Sequence, residues 1–269
     1  MRRSPCKQRR YLRQWAIGTK SGWYPAHKNG GRRIILKQVA VIGATGDVGQ
    51  GIVAELLAAG YSVVAVGRRE QKLAKLAARF PGAALQVEVG SVETRAAGEA
   101  LGAALAVSGR PDVIVVAVNG KQEQAPTAEL ETALLERTLR DNLSTHLVAS
   151  QTLIPAVADG GTYLGIGGGM ADMIFPGYAA ISMAQAAQRA LFRYLAKEAE
   201  GKPVTVKELM LYAMINGESK RDQAEAYWIT DREVGRHVVA VLASPAEFEG
   251  PILALKSKKQ VGLPERKPA

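Results

Sequence analysis

From Gln38 onward, short unbroken apolar runs alternate with segments whose apolar residues recur every three or four positions. Gln38–Ile42 (QVAVI) reads as a buried strand, and Asp47–Gly60 as a helix with Val48, Ile52, Leu56 and Leu57 on one stripe. Ser62–Val66 (SVVAV) is the next strand, followed by a helix over Glu70–Phe80 that Pro81-Gly82 stops. Ala84–Val89 is a third strand, Glu93–Val107 an alanine-rich helix and Val113–Val118 (VIVVAV) a fourth strand. Ala128–Ala158 carries a long helical pattern, with a bend or break expected near Asp141-Asn142. Gly161–Gly165 starts a strand that runs into Gly167-Gly168-Gly169, and Ala179–Glu200 is the strongest helical segment. Val204–Ile215 contains a further strand, Asp231–Leu242 a helix, and Pro251–Leu255 a last short strand. Strands that are apolar throughout and alternate with helices belong in a parallel sheet covered on both faces, wound by right-handed crossovers. No repeat or linker interrupts 36–255, so this stretch reads as one doubly wound α/β domain.

Residues 1–35 break the pattern. Gly18, Gly22, Pro25, Gly30 and Gly31 interrupt them and neither period persists, so they read as a basic, disordered extension. An Arg-rich, acid-free composition also fits an organellar transit peptide, although Trp15, Trp23 and Tyr24 do not suit one. Charge divides the same way. Residues 1–38 carry 11 Lys and Arg and no acid, and the basic tail 256–269 carries 5 against Glu265 alone. The +10 of the whole chain therefore sits at its ends, and 39–255 is net −5. A nucleic-acid-binding domain would carry its basic patch on the folded body, so none is expected of the core. The one cysteine, Cys6, excludes a disulfide framework and a thiolate-rich metal site, and His27, His146 and His237 are too scattered for zinc. No apolar run reaches the ~18 residues needed to cross a bilayer. A cytoplasmic location is expected, with organellar targeting the minor alternative.

Candidate chemistry begins where the first strand meets the first helix. Gly43-Ala44-Thr45-Gly46-Asp47-Val48-Gly49 fills that junction. Gly43 permits a tight turn, Gly46 lets backbone amides approach a diphosphate, and Gly49 lets the helix pack close to the sheet. The helix N-terminus then offers N–H groups and positive dipole to phosphates. A Rossmann-type dinucleotide site is expected here. An NAD site would place an acid about 20 residues on, to bond the ribose 2′-hydroxyl. This chain has Gly67-Arg68-Arg69 instead, and guanidinium is a natural phosphate clamp. NADP is the expected cofactor, with NAD the alternative.

With these features, 38–255 resembles a short-chain dehydrogenase/reductase. Asp141-Asn142-Leu143 is similar to the family's helix-bending asparagine, and Asn119-Gly120 to the end of its N-N-A-G stretch, with Ala117 for the first asparagine. The run from Pro176 to Ala187 resembles the active-site helix, which normally reads Y-x-x-x-K followed by two alanines. The departures are sharper than the matches. The tyrosine position holds Ile181, the lysine position Gln185, and the serine of the preceding strand falls near Gly168. Of the four catalytic positions only Asn142 keeps the family residue. Ile181 has no proton to give and Gln185 no charge to lower a phenol's pKa, though Gln185 keeps hydrogen-bonding capacity toward the nicotinamide ribose. In a rival register Tyr178 is the proton donor, with Ser182 in the lysine position.

Three functions follow from the resemblance. The first is an NADPH-dependent oxidoreductase that transfers hydride without the usual proton donor, to an acceptor such as a flavin or quinone. On this reading the glycines at 167–169 leave room for a flat acceptor. The second is a catalytically silent NADP-binding sensor, and the third a carbonyl reductase using Tyr178. The substrate or acceptor is a small molecule that the sequence does not identify. Asn216–Thr230 corresponds to the family's substrate lid. The resemblance and the alanines of 179–190 imply a homodimer or homotetramer.

Overall fold

The computed structural model describes residues 37–265, together with the backbone of Lys28–Asn29 and Arg32–Arg33, which pair antiparallel. The reading of 1–35 as a disordered extension otherwise lies outside the described residues.

Seven parallel strands form the sheet: β1 (Gln38–Ile42), β2 (Ser62–Gly67), β3 (Leu85–Val89), β4 (Val113–Val116), β5 (Gly161–Gly168), β6 (Val204–Leu211) and β7 (Ile252–Leu255). Their order is β7-β6-β5-β4-β1-β2-β3. β1 sits between the two halves, with Val39 opposite Val63 on one side and Val113 on the other. The chain winds outward from β1 first one way, then the other. This is a Rossmann-type fold.

Strand alternation sorts the core into two layers. Val39 and Val41 face the layer of α1 (Asp47–Ala58), α2 (Glu70–Ala77) and α7 (Asp231–Ala243). Ala40 and Ile42 face α3 (Arg95–Val107), α5 (Thr145–Leu153) and α6 (Ala179–Glu198). At about 25 cal/mol per Å² of apolar surface removed from water, these layers are what hold the sheet between its helices.

Where ends differ from the sequence pattern, a cap or turn accounts for it. α3 starts at Arg95 because Thr94 caps it, its Oγ1 accepting from Ala97 N at 3.3 Å. The long helical stretch divides into α4 (Thr132–Leu139), a π turn over Arg140–Ser144, and α5. Inside that turn Asn142 Nδ2 donates to Thr138 O at 2.9 Å, replacing a backbone bond the π geometry disrupts. Beyond Leu255 the chain stays on the body. Gly262 N donates to His237 Nδ1 at 3.1 Å and Lys258 Nζ to Ala226 O at 2.6 Å. A short parallel pair, Ile215–Asn216 with Ile229–Thr230, had no signature in the pattern because two residues carry no period.

Candidate cofactor and active site

Strands wound in opposite directions part at β1 and β4, and a cavity of about 820 Å³ opens at their carboxyl ends. Ligands of open α/β sheets bind at such a point. Gly43, Thr45, Gly46 and Asp47 line one wall, Arg68 and Arg69 the outer end, and Asn119 and Gly120 the opposite wall. Val48, Gly49, Asn142, Tyr178 and Gln185 are not among the lining residues.

The glycine loop is set by contact. Gly43 has φ +84°, and a Cβ there would lie 2.3 Å from Ala117 O. A Cβ on Gly49 would lie 2.2 Å from Gly43 O, so the loop closes on the first turn of α1 only if position 49 is bare. Gly46 is the N-cap of α1 and supplies no side-chain cap, which leaves first-turn N–H groups for a ligand. At the outer end Arg68 pairs with Glu93, both more than half exposed, so the pair is weak and replaceable. Arg69, Lys72 and Lys75 also line this end.

Asn142 and His146 shape the opposite wall from behind. Asn142 is buried, and its Oδ1 accepts from Gly120 N at 3.0 Å. His146, one turn on, donates through Nε2 to Val118 O at 3.0 Å. Burial lowers its pKa to about 4, so the ring stays neutral at physiological pH. Two side chains of one helical rod thus fix the loop that carries Asn119 and Gly120.

The corner around α6 is built differently. Ile181 and Gln185 are buried, and Gln185 Oε1 has no hydrogen-bond partner. A Cβ on Gly168 would lie 2.3 Å from Gln185 Nε2, and one on Gly167 2.4 Å from Glu208 Oε1. On Gly169 it would meet the Tyr212 ring at 2.6 Å. The space directly beside the three glycines is thus occupied by side chains, not open as the sequence reading had it. The glycines are bare because Gln185, Glu208 and Tyr212 fill the space beside them. Glu208 is 0% exposed and neither oxygen has a hydrogen-bond partner of ordinary geometry. Burial pushes its pKa up to about 8, which Arg189 and Gln188 oppose without cancelling. Next to it Asp172 accepts from Arg189 and, at 2.5 Å, from the Tyr212 hydroxyl. Arg189 holds the Asp172 carboxyl below its ordinary pKa, while burial and Asp172 push Tyr212 up to about 12. Tyr178 caps α6, and its hydroxyl accepts from Gln124 Nε2.

Sequence reasoning missed several cavity residues: Gln50, Lys72, Lys75, Arg79, Glu93, Glu218 and Ser219. Lys72, Lys75 and Arg79 were findable, since their spacing places them on one face of α2 and its continuation. Glu218 and Ser219 lie in the Asn216–Thr230 segment that the resemblance marks as a lid, but that they fold back onto this cavity is set only by the tertiary structure.

A family model described as enoyl-(acyl carrier protein) reductase matches residues 43–261. The chain belongs to the short-chain dehydrogenase/reductase superfamily. No curated protein matches it. Solved structures of the superfamily share its fold at low identity. A short-chain dehydrogenase/reductase from Serratia marcescens is 22% identical, with TM-score 0.71, covering 81% of this chain and 96% of its own. One from Mycobacterium ulcerans is 20% identical, with TM-score 0.72, covering 81% and 87%. An NADPH-bound short-chain oxidoreductase from Pseudomonas aeruginosa PAO1, described as containing an atypical catalytic center, is 21% identical, with TM-score 0.70, covering 82% and 96%. Among the described residues, no helix of this superfamily member is long and apolar enough to cross a membrane, and no cluster of His, Cys, Asp or Glu could hold a metal.

Proposed function

We propose that this chain is an NADPH-dependent oxidoreductase with an atypical site, working without the tyrosine and lysine of its family. The observation that carries the reading is one continuous cavity. It runs from the cations Arg68, Arg69 and Lys72, past the uncapped start of α1, to Asn119 and Gly120. Those residues fit the parts of NADPH in kind: cations for a 2′-phosphate, N–H groups for a diphosphate, and a braced polar loop beyond. When bound, NADPH supplies the hydride. The chain's own part is to bind and orient, because Ile181 offers no proton where the family has one. Losing a general acid costs roughly 10²–10⁴ in rate, which favours an acceptor of low proton demand such as a quinone or flavin.

A second reading, a silent NADP-binding sensor, is favoured by the filled corner at Gly167–Gly169. Calorimetric titration with NADPH and NADH, followed by turnover assays with quinone, flavin and carbonyl acceptors, separates the two. Tight NADPH binding with quinone or flavin turnover is expected. Binding without turnover selects the sensor, and absence of binding defeats both. A member of this fold commonly assembles with copies of itself, and sedimentation at micromolar concentration tests the homodimer or homotetramer we expect.

A further inference from the structure

One segment closes over the proposed cofactor site and is fastened there by the chain itself. Asp47, the first residue of α1, accepts through Oδ1 from Ser219 N at 3.0 Å and through Oδ2 from the Ser219 hydroxyl. Beside it Gln50 Nε2 donates to Glu218 Oε2 at 2.9 Å, and Arg79 donates to Gln50 Oε1 at 2.5 Å. Gly217 lies flat on Asp47, so that a Cβ at 217 would sit 2.2 Å from Asp47 Cβ. Asp47, Gln50, Glu218 and Ser219 all line the cavity. The hydrogen bonds to Glu218 and Ser219 join parts of the chain 168 and 172 residues apart, so they belong to the tertiary structure and not to a local turn.

Their position sets up a competition. The first turn of α1 is where N–H groups and the helix dipole favour an anion. Here the chain's own carboxylates, Asp47 and Glu218, already stand at that place. The Ser219 N–H and O–H, donors that would suit a phosphate oxygen, are given to Asp47. A diphosphate brought to this wall meets two like charges and finds those donors spent. We propose that residues 217–219 are an autoinhibitory strap with Asp47 as its catch, and that the cofactor's diphosphate must displace it to bind. The proposal rests on the reading of Gly43–Asp47 as the diphosphate cradle. The strapped fraction lowers the apparent affinity for every ligand that carries the diphosphate, whatever its 2′ substituent.

Two variants release the strap by different routes. Asp47→Ala removes both acceptors of the catch. Gly217→Ala leaves Asp47 intact and pushes the strap off by steric contact, at a backbone of φ −96° that alanine adopts freely. Both should bind NADPH and NADH about tenfold more tightly than the native chain, by the same factor for each cofactor. 2′-AMP, which has no diphosphate, should gain nothing. Trypsin should cut the ligand-free variants at Lys220 and Arg221 several-fold faster than the native protein. Variants that bind both cofactors no more tightly overturn the proposal, as does an equal gain for 2′-AMP. If the native chain binds neither cofactor, the cradle reading has failed. Cleavage then still decides the strap, and unchanged rates in both variants refute it alone.

Discussion

At Gly43–Asp47 and Arg68 the chain keeps backbone and charge facing a cavity, whereas at Gly167–Gly169 and Gln185 it fills the comparable space with its own side chains. Both regions lie at the carboxyl ends of strands, β1 and β5 with β4 between them, and both are rich in glycine. The glycines serve opposite ends. Gly43 and Gly49 let the backbone turn tightly enough to leave a cradle. Gly167 and Gly168 let Glu208 and Gln185 close onto the strand until nothing else fits. Glycine therefore marks close approach, and only the neighbours decide whether what approaches is a ligand or the protein. Open on one side and filled by side chains on the other, the two regions give distinct expectations.

The filled corner should show the largest effect, through pH. Glu208 has its pKa raised from 4.5 to about 8 by burial. Below the unfolded pKa both states carry the proton and its contribution is fully present. As pH rises to about 8 the unfolded chain gives up the proton first, so stability falls, then levels. The loss is of the order of 4 kcal/mol across that range. Glu208→Gln should remove this slope in thermal or urea melts run from pH 4.5 to 9. An unchanged slope would mean that Glu208 is ionised or solvated in the folded state.

Packing there gives the next test. Gly168→Ser should destabilise by about 1–3 kcal/mol, because its Cβ overlaps the Gln185 amide. Adding Gln185→Ala should recover about 1 kcal/mol or more of that cost, a non-additivity expected of touching residues. Strictly additive melts would show that the serine finds room elsewhere, and that the corner is looser than it looks.

In the open region, Arg68→Ala should weaken NADPH about tenfold while changing NADH by less than about twofold. Calorimetry giving equal losses would take Arg68 out of the 2′-phosphate site. The smallest effect is expected at Tyr178, whose hydroxyl is engaged with Gln124 away from the cavity lining. Tyr178→Phe should change NADPH turnover by less than about twofold. A fall of roughly 10²–10⁴ would instead make it the missing acid and overturn the comparison at its filled end.

The sequence alone determined the sheet and its helices, because buried strands and amphipathic helices write their periods directly into the chain. The apolar runs at 38–42 and 62–66 are strands, the run at 113–118 is one over its first four residues, and the bend at Asp141-Asn142 is a π turn. It also pointed to the glycine loop and to Arg68-Arg69, since a strand–glycine–helix junction is a local arrangement. What surrounds the glycines at 167–169 was decided only in three dimensions. Glu208 comes from the next strand and Gln185 from a helix packed across, and neither lies within a dozen residues in sequence. The same holds for the strap. Ser219 meets Asp47 because the segment that follows β6 packs against α1 through Ile215–Asn216, a proximity set by strand order and by the packing of α1 against α7. Local periods encode elements. Whether a bare glycine faces a cavity or a buried carboxyl depends on long-range packing, which no local pattern records.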